Sequence, residues 1–460
     1  MSVSSMLATS RRILRFRRNP LALFADIAAS EPGVRVVPFS LGVRQAVVIT
    51  SPKPAQQVLT SSSFAKDPRP YGPLGTFRGF MVLGDLIGPA LPMLDGDIGL
   101  ARRKQILPGM AAAHTPRCPH GHGASPSSST LSSMSSLQQR VDAALHEAGD
   151  VVDLRRAIAR IVCEEVCLAL FGNTYPAWSA RVSQALDVAS GALHALSASP
   201  LPGAHRYDPI HGPRLRGLRR TLVAFATQVV GDLRAKRGTP DAPAFAAVDV
   251  DGLTNEALVD EVVTQLVAGT ESTSLTCCWL LLLLSTHPEV LQAVRADLAV
   301  DIDALPTVPL SSEHALSRAL RETLRLYPSF WQFLRVAQQD TTIVDDTDAN
   351  DVRRVDVGAG TIAFISPYLA HRDPRVFTDP ERFDPWRHQA SRALSPELLS
   401  FGYGARSCIG ARLSVRIATT TTAAFLHGRD FDFVETHRVT RPLVFGLNRR
   451  GGFDAVVRAR

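Results

Sequence analysis

Lysine is scarce in this chain, and the excess of positive charge is small. Only four of the 50 basic side chains are lysines (Lys53, Lys66, Lys104 and Lys236), so the other 46 are arginines. Against 43 acidic residues this leaves a formal net charge of +7 on 460 residues. A surplus of that size does not indicate a nucleic-acid partner, although it suits the docking of an acidic protein.

Cysteines in the spacing of a disulfide framework or a metal cluster are also lacking. Two pairs lie in apolar, helix-like runs, which predicts reduced core residues in a cytoplasmic protein. No group of cysteines indicates a fused iron–sulfur module. The six are Cys118, Cys163, Cys167, Cys277, Cys278 and Cys408.

The N-terminal stretch contains no apolar run of the roughly 20 residues that a bilayer requires. It is also too polar for a signal peptide, so we expect no transmembrane anchor. The arginines between residues 11 and 18 predict a solvated lead-in, residues 1 to 20, to the first helix; a segment lying on a membrane surface is the alternative. Because 45% of residues are hydrophobic and 20% charged, the chain can bury a large core.

One short stretch, FGYGARSCIG at residues 401 to 410, surrounds Cys408 with glycine, aromatic and arginine residues. Glycines such as Gly402 let the backbone turn close to the sulfur, and Phe401 can shield it. Arg406 offers a planar donor group suited to a nearby carboxylate. The loop therefore predicts a metal-binding thiolate, whereas a small buried apolar cysteine in a turn is the alternative.

Residues 254 to 287 predict the longest helix, whose apolar pattern is interrupted by the hexapeptide AGTEST at 268 to 273. A buried acid inside an apolar helix costs free energy unless something uses it. We interpret Glu271, with the hydroxyl of Ser272 or Thr273, as a proton relay. The alternative is a Ser/Thr-rich kink in which Glu271 pairs with an arginine.

In RETLRLYP, Glu322 and Arg325 are three residues apart and share one helix face. Alone this pattern predicts only a surface salt bridge. The segment PERF at 380 to 383 follows some fifty-five residues on and adds a second arginine, Arg382.

Together these motifs resemble the cytochrome P-450 family. The pattern FxxGxRxCxG is matched at every fixed position, and the distal-helix motif, Glu-x-x-Arg, PERF and the cysteine loop occur in the family's order. The resemblance implies one domain over residues 1 to 460, mainly α with a minor β region. It implies haem b between the distal helix and the helix after the cysteine loop, with Cys408 as axial ligand of the iron.

The resemblance also assigns further residues. It implies a buried network of Glu322, Arg325 and Arg382 that fixes the loop of Cys408. Arg103, Arg335 and Arg406 would bind the haem propionates, while Gly99 stands where the family often has a histidine. Ala268 and Gly269 would leave room for dioxygen, and Ser272 replaces the usual threonine. The stretch from 68 to 92 would be an irregular substrate lid. The predicted pocket consists of Phe77, Phe80, Val267, Phe330, Trp331, Phe333, Leu334 and Phe445.

The implied reaction is monooxygenation of a lipophilic small molecule, such as a terpenoid, fatty acid or polyketide, by hydroxylation or epoxidation. Specialised-metabolite biosynthesis is the context we expect, in a cytoplasmic monomer. Electrons would come from a separate ferredoxin or flavodoxin with its NAD(P)H reductase. A peroxygenase or isomerase and a haem-based ligand-binding protein are the alternatives.

Residues 111 to 130 predict a flexible low-complexity insertion, whose His114, Cys118, His120 and His122 have a spacing compatible with zinc.

Overall fold

The structure is a computed structural model. It describes residues 15–16, 19–41, 44–66, 78–114, 131–148, 150–197, 208–248, 252–302, 305, 313–388, 397–434, 439–443, 446–449 and 452–460.

Helices form most of the described chain. They are α1 (Pro20–Ser30), α2 (Pro52–Thr60), α3 (Arg78–Ile87), α4 (Gly96–His114), α5 (Met134–His146), α6 (Leu154–Phe171), α7 (Pro176–Ser197), α8 (His211–Ala235), α9 (Asn255–Thr286), α10 (Pro288–Asp301), α11 (Ala315–Leu326), α12 (Pro367–Ala370) and α13 (Ala411–Leu426). Short 3-10 turns occur at Leu91–Met93, Ala244–Ala247, Pro385–His388 and Gly404–Arg406.

The strands form four small sheets. They are β1 (Val36–Leu41), β2 (Arg44–Ile49), β3 (Phe64–Ala65), β4 (Val151–Asp153), β5 (Phe333–Ala337), β6 (Thr341–Asp345), β7 (Arg353–Val357), β8 (Ile362–Ile365), β9 (Arg429–Phe433), β10 (Val439–Leu443), β11 (Gly446–Arg449) and β12 (Asp454–Ala459). The largest sheet has the order β1-β2-β8-β5-β3, in which only β2 and β8 are parallel. The others are β4-β12-β9 and the hairpins β10-β11 and β6-β7.

The distal helix, α9, lies at the centre of the helical part and is buried along most of its length. Its start follows from local chemistry, because the Thr254 side chain accepts a hydrogen bond from the Ala257 N–H and Glu256 lies in the first turn. It packs against α6, α8 and α13. Of the described helices it alone is long and apolar enough to cross a membrane, but most of that stretch is buried inside the protein.

The mainly helical fold with a minor β region is confirmed. β1 and β2 form an antiparallel hairpin at the edge of the largest sheet. The prediction of an irregular stretch from 68 to 92 was wrong for its second half, because α3 forms there. Its apolar residues recur at helical spacing, and the flanking prolines and glycines obscured that period. Most of the predicted insertion, residues 115 to 130, lies outside the described residues.

Candidate active site

The loop before α13 turns back on itself and brings Cys408 beside Phe401. The Cys408 N–H donates to the Phe401 carbonyl over 2.7 Å. Gly402 and Gly404 have φ values of +70° and +73°, a region in which a side chain would be strained. Although α13 and the core surround it, the cysteine itself remains accessible. The sulfur is therefore presented to an interior space and is not packed as a core residue.

Competing effects act on the Cys408 thiol. The surrounding protein raises its pKa, whereas the Gly410 N–H and the positive charge of Arg103 act to lower it. Burial therefore favours the neutral thiol, while the Gly410 N–H and the nearby positive charge favour the thiolate.

Three hydrogen bonds fasten the start of this loop to the fold. Ser400 Oγ donates to the Leu324 carbonyl in α11 over 2.7 Å. The Leu399 N–H donates to His371 Nε2 over 2.7 Å, and His371 Nδ1 bonds the Arg325 carbonyl over 2.9 Å. His371 is fully buried, and burial lowers its pKa to about 3, although the hydrogen bond to the Arg325 carbonyl acts in the opposite direction. This histidine is therefore a neutral link between α11 and the cysteine loop.

Glu322 is the centre of a buried ionic network behind that loop. Its carboxylate accepts two hydrogen bonds of 2.8 Å from Arg325, and both side chains are 0% exposed. The Arg387 Nε donates to it over 2.9 Å and the Asp384 N–H over 3.0 Å. With every partner in place, such a network rigidifies the segments that it joins.

The second arginine at Glu322 is Arg387 and not Arg382, which corrects the sequence prediction. Arg382 is exposed and contributes only its main-chain carbonyl, a 3.1 Å acceptor for Arg325. The 3-10 turn Pro385–His388 brings Arg387 back towards α11. Arg382 of the PERF segment lies five residues before Arg387, the arginine that contacts Glu322. The spacing in the sequence did not reveal the 3-10 turn that brings Arg387 to this glutamate.

An exposed residue interrupts the buried middle of the distal helix. Ala268 is exposed within a helix that is otherwise largely buried, and Ser272 lies one turn further on the same face. Ser272 Oγ donates to the Ala268 carbonyl over 2.6 Å. Ser329, next to Phe330, donates to the Ser272 carbonyl over 3.0 Å. A small side chain and one hydroxyl therefore border the accessible space.

Two other residues of the hexapeptide face elsewhere. A Cβ at Gly269 would lie 3.2 Å from Val166 Cγ2, so this glycine admits the close approach of α6. Thr273 is buried and its Oγ1 lies 2.8 Å from Ser414 Oγ in α13. That Gly269 leaves space for dioxygen stays a prediction, but the lack of a side chain at this position is already used by helix packing. Of the two candidate hydroxyls, Ser272 lies on the accessible face.

Glu271 forms an ion pair with Arg155 at the start of α6. Both side chains are 13% exposed, so little solvent separates the charges. The alternative foreseen from the sequence, an acid paired with an arginine, is thus the arrangement in the structure. The close approach of α6 at Gly269 explains why the partner comes from this helix.

Several cationic side chains lie close to Arg406 of the cysteine loop. Arg103 Nη1 donates to the Ser407 carbonyl over 2.7 Å, and Arg406 forms an ion pair with Asp95. Arg335, 8% exposed, donates from Nη1 to the neighbouring Leu334 carbonyl over 2.7 Å. Burial and the charge of Arg406 lower the pKa of Arg335 to about 10.

Sequence reasoning missed two members of this cluster, Lys66 and Asp95. Lys66 Nζ donates to the carbonyls of Pro92 and Leu94, each over 3.2 Å. Burial and the nearby charges of Arg335 and Arg406 lower the pKa of Lys66 to about 8. The only hint in the sequence was the rarity of lysine, since neither residue belongs to a motif.

The residues present fit a ligand that carries carboxylates. Lys66, Arg335 and Arg406 have Asp95 as an acidic neighbour, and the charge of Arg103 acts on Lys66. Apart from its ion pair with Asp95, Arg406 Nη1 is buried without a hydrogen-bond partner among the described residues, so the cluster retains an unsatisfied cationic donor. Haem supplies two propionates for the cations and an iron for Cys408, which matches both halves of the site.

The predicted pocket residues fall into different places. Val267 is buried beside Ala268, and half-buried Phe330 follows Ser329, which contacts the distal helix. Phe333 lies beside Gly402 of the cysteine loop. The placement of Trp331 in the pocket was wrong: it packs with its ring centroid 6.1 Å from that of Phe24 in the N-terminal apolar core.

The remaining pocket candidates add little to the described site. Leu334 packs against the N-terminal apolar core that contains Trp331. Phe77 and Phe445 lie outside the described residues, as does the side chain of Phe80. The possible zinc ligands Cys118, His120 and His122 and the side chain of His114 also lie outside them. Among the described residues no group of three potential ligands of these types forms a metal site.

Comparison with known proteins identifies this combination of fold and cysteine site. A family model for cytochrome P450 matches residues 130–446. Cyclooctat-9-en-7-ol 5-monooxygenase of Streptomyces melanosporofaciens is 28% identical over 417 residues, which cover 86% of this chain and 82% of that protein. Pentalenene oxygenase of Streptomyces avermitilis is 30% identical over 260 residues, covering 54% of this chain and 55% of the relative.

Solved structures share the fold at low identity. The haem domain of cytochrome P450DA superposes with a TM-score of 0.74 at 18% identity, covering 96% of this chain and 93% of that one. CYP175A1 from Thermus thermophilus gives a TM-score of 0.67 at 22% identity, with 96% of each chain covered.

The protein is a haem-dependent oxygenase by class. The chain belongs to the cytochrome P450 family and is a P450 monooxygenase that acts on a lipophilic substrate.

Proposed function

We propose that the protein inserts one oxygen atom of O2 into a cyclic terpenoid, with haem b held through Cys408. The observation that carries this proposal is the accessible thiol of Cys408 on a glycine-rich loop, with cations on one side and the opened distal helix as the nearby wall. Both Streptomyces relatives are oxygenases that are named for carbocyclic substrates.

Arg103, Arg335 and Arg406 would hold the propionates of the cofactor, while Cys408 would hold its iron. When bound, haem with an axial thiolate supplies dioxygen binding and favours O–O cleavage. The protein's own contribution is to position and protect. The Phe401 carbonyl fixes the Cys408 backbone, and the Glu322 network and His371 hold the loop against α11.

Protons would pass through Ser272 on the distal side. Its hydroxyl now donates to the Ala268 carbonyl, and rotation about one bond frees it to donate into the accessible space. Glu271 is the nearest acid in sequence, but its carboxylate is held in an ion pair with Arg155. Delivery by Glu271 therefore requires that this ion pair open.

The substrate side is bounded by apolar groups. The carbonyl of Ala268 accepts from the Ser272 hydroxyl, and Val267 precedes Ala268 in the chain. Phe330 follows Ser329, which donates to the Ser272 carbonyl. A surface of this kind excludes water and binds hydrocarbon rings by burial of apolar area. Hydroxylation or epoxidation of a ring carbon in specialised metabolism is the outcome that we propose.

Electrons would arrive from a separate acidic ferredoxin or flavodoxin with its NAD(P)H reductase. Arg103 contacts the cysteine loop, whereas Lys104 on the same helix is exposed, as are its neighbours Leu100 and Leu107. This face of α4 combines positive charge with apolar surface next to the loop of Cys408, which suits an acidic carrier. We further propose that the enzyme works as a cytoplasmic monomer.

The test is turnover of a cyclic diterpene alcohol with ferredoxin, ferredoxin reductase, NADPH and 18O2. We expect a product that is heavier by one 18O atom and a spin-state change on substrate binding. The Ser272→Ala variant should consume NADPH but form less product, because reduced oxygen is then released as peroxide. A labelled product with hydrogen peroxide alone would favour a peroxygenase. Intact haem without oxidised product in either system would favour a ligand-binding protein.

A further inference from the structure

We propose that Lys66 supplies a fourth cation for the haem propionates and takes the place of the histidine that Gly99 replaces. The inference rests on the haem assignment proposed above. It concerns a residue outside every recognised motif of the sequence.

The position of the Lys66 ammonium group is set by two main-chain acceptors. Lys66 follows β3, and its Nζ donates to the carbonyls of Pro92 and Leu94, each over 3.2 Å. Leu94 precedes Asp95, whose carboxylate forms the ion pair with Arg406. The ammonium group is thereby fixed beside the arginine of the cysteine loop. Two of its three N–H groups are used, which leaves one for a carboxylate.

The backbone that accepts from Lys66 also leaves little room for a side chain at position 99. A Cβ at Gly99 would lie 3.0 Å from the Leu94 carbonyl oxygen, and the Gly99 N–H donates to the Asp95 carbonyl over 3.1 Å. A histidine at 99 would therefore require the Leu94 carbonyl to shift by a few tenths of an ångström. The same backbone course brings the Leu94 carbonyl within reach of Lys66. The absence of a histidine donor at position 99 and the presence of the Lys66 ammonium donor thus have a common cause.

The electrostatics call for an anion at this place. Lys66 is half-buried, and burial together with the charges of Arg335, Arg406 and Arg103 lowers its pKa to about 8, while Asp95 acts in the opposite direction. One carboxylate among four cations leaves an excess of positive charge in a partly desolvated cluster, which further negative charge would stabilise. Two propionates would supply it.

The test measures haem loss from the ferric holoenzyme to excess apomyoglobin as scavenger. Lys66→Arg keeps the charge, whereas Lys66→Gln keeps an N–H donor for the Leu94 carbonyl and removes the charge. Lys53, an exposed lysine that donates to the Asp346 carbonyl over 2.9 Å, provides the matched control Lys53→Gln. We expect Lys66→Gln to lose haem about tenfold faster, as fits one charge-assisted hydrogen bond, with Lys66→Arg and Lys53→Gln within about twofold of wild type.

Two results would overturn the inference. Haem loss from Lys66→Gln at the wild-type rate would show that the charge does not act on the cofactor. Equal acceleration in Lys66→Gln and Lys66→Arg would assign the residue to the backbone tie alone. The carbon monoxide spectrum of each reduced variant keeps this test separate from the proposed function. A thiolate-type band with unchanged haem loss removes only the role of Lys66, whereas no such band in wild type removes the haem-thiolate assignment.

Discussion

We predict that His371 makes the protein less stable at acidic pH. Its imidazole is fully buried, donates to the Arg325 carbonyl and accepts from the Leu399 N–H, so both ring nitrogens are used by the neutral form. The charged groups that act on it are Arg325, Arg372 and Glu322, and burial is the largest effect. Protonation would break the bond to Leu399 and release the start of the cysteine loop.

The direction and size of the pH dependence of stability follow from the difference in the pKa of His371 between the folded and the unfolded protein. The pKa falls from 6.5 to about 3 on folding, so below pH 6.5 the unfolded chain binds a proton that the native protein does not. Stability from this residue is present above pH 6.5 and is lost on acidification. Between pH 7 and pH 5 the free energy of unfolding should fall by about 2 kcal/mol through His371 alone.

The perturbation is His371→Asn, measured by urea unfolding of the ferric protein at both pH values. Because two hydrogen bonds are weakened, the variant should be less stable than wild type by about 1–3 kcal/mol at pH 7. That gap should narrow by about 2 kcal/mol at pH 5, since asparagine does not titrate. Exposed His146→Asn is the control and should leave the pH dependence unchanged. An identical loss of stability in wild type and His371→Asn would refute the neutral, buried link.

Other variants test the remaining parts of the site. Arg387→Ala should destabilise the protein by about 1–3 kcal/mol and lower its haem content, since it removes a charge-assisted hydrogen bond to buried Glu322, whereas Arg382→Ala should do neither; equal effects would contradict the assignment. Ser272→Ala should uncouple NADPH consumption from product formation, while Thr273→Val should mainly lower the thermal midpoint; the reverse pattern would move the relay to Thr273. Lys104→Glu should slow reduction by an acidic ferredoxin at low salt, and the difference should fade at high salt; a salt-independent effect would speak against docking there.

Features that depend on neighbouring residues were predictable from the sequence. The cysteine loop needs glycines at fixed offsets from Cys408, and the distal helix carries its cap, acid and hydroxyl within one continuous segment. Glu322 and Arg325 share a helix face by periodicity alone. In each case local geometry determines which residues meet.

Features that depend on how distant segments meet were not predictable. Arg387 replaces Arg382 because the 3-10 turn Pro385–His388 directs the chain back to α11. Trp331 and Phe330 are adjacent in sequence, yet only the first packs in the N-terminal core. The hydroxyl of Thr273 lies within hydrogen-bond distance of Ser414, which is 141 residues further along the chain. Sequence composition contains no signal for these pairings.

The carbon monoxide difference spectrum of the dithionite-reduced protein tests the central assignment most directly. If Cys408 is the axial thiolate, the Soret band lies at the long-wavelength position that is typical of this ligand, and Cys408→Ser loses it. Leu399 and Ser400 hold the loop in both proteins, so the substitution tests the sulfur and not the fold. A wild-type band at the shorter wavelength, or a long-wavelength band that persists in Cys408→Ser, would contradict thiolate ligation by this residue.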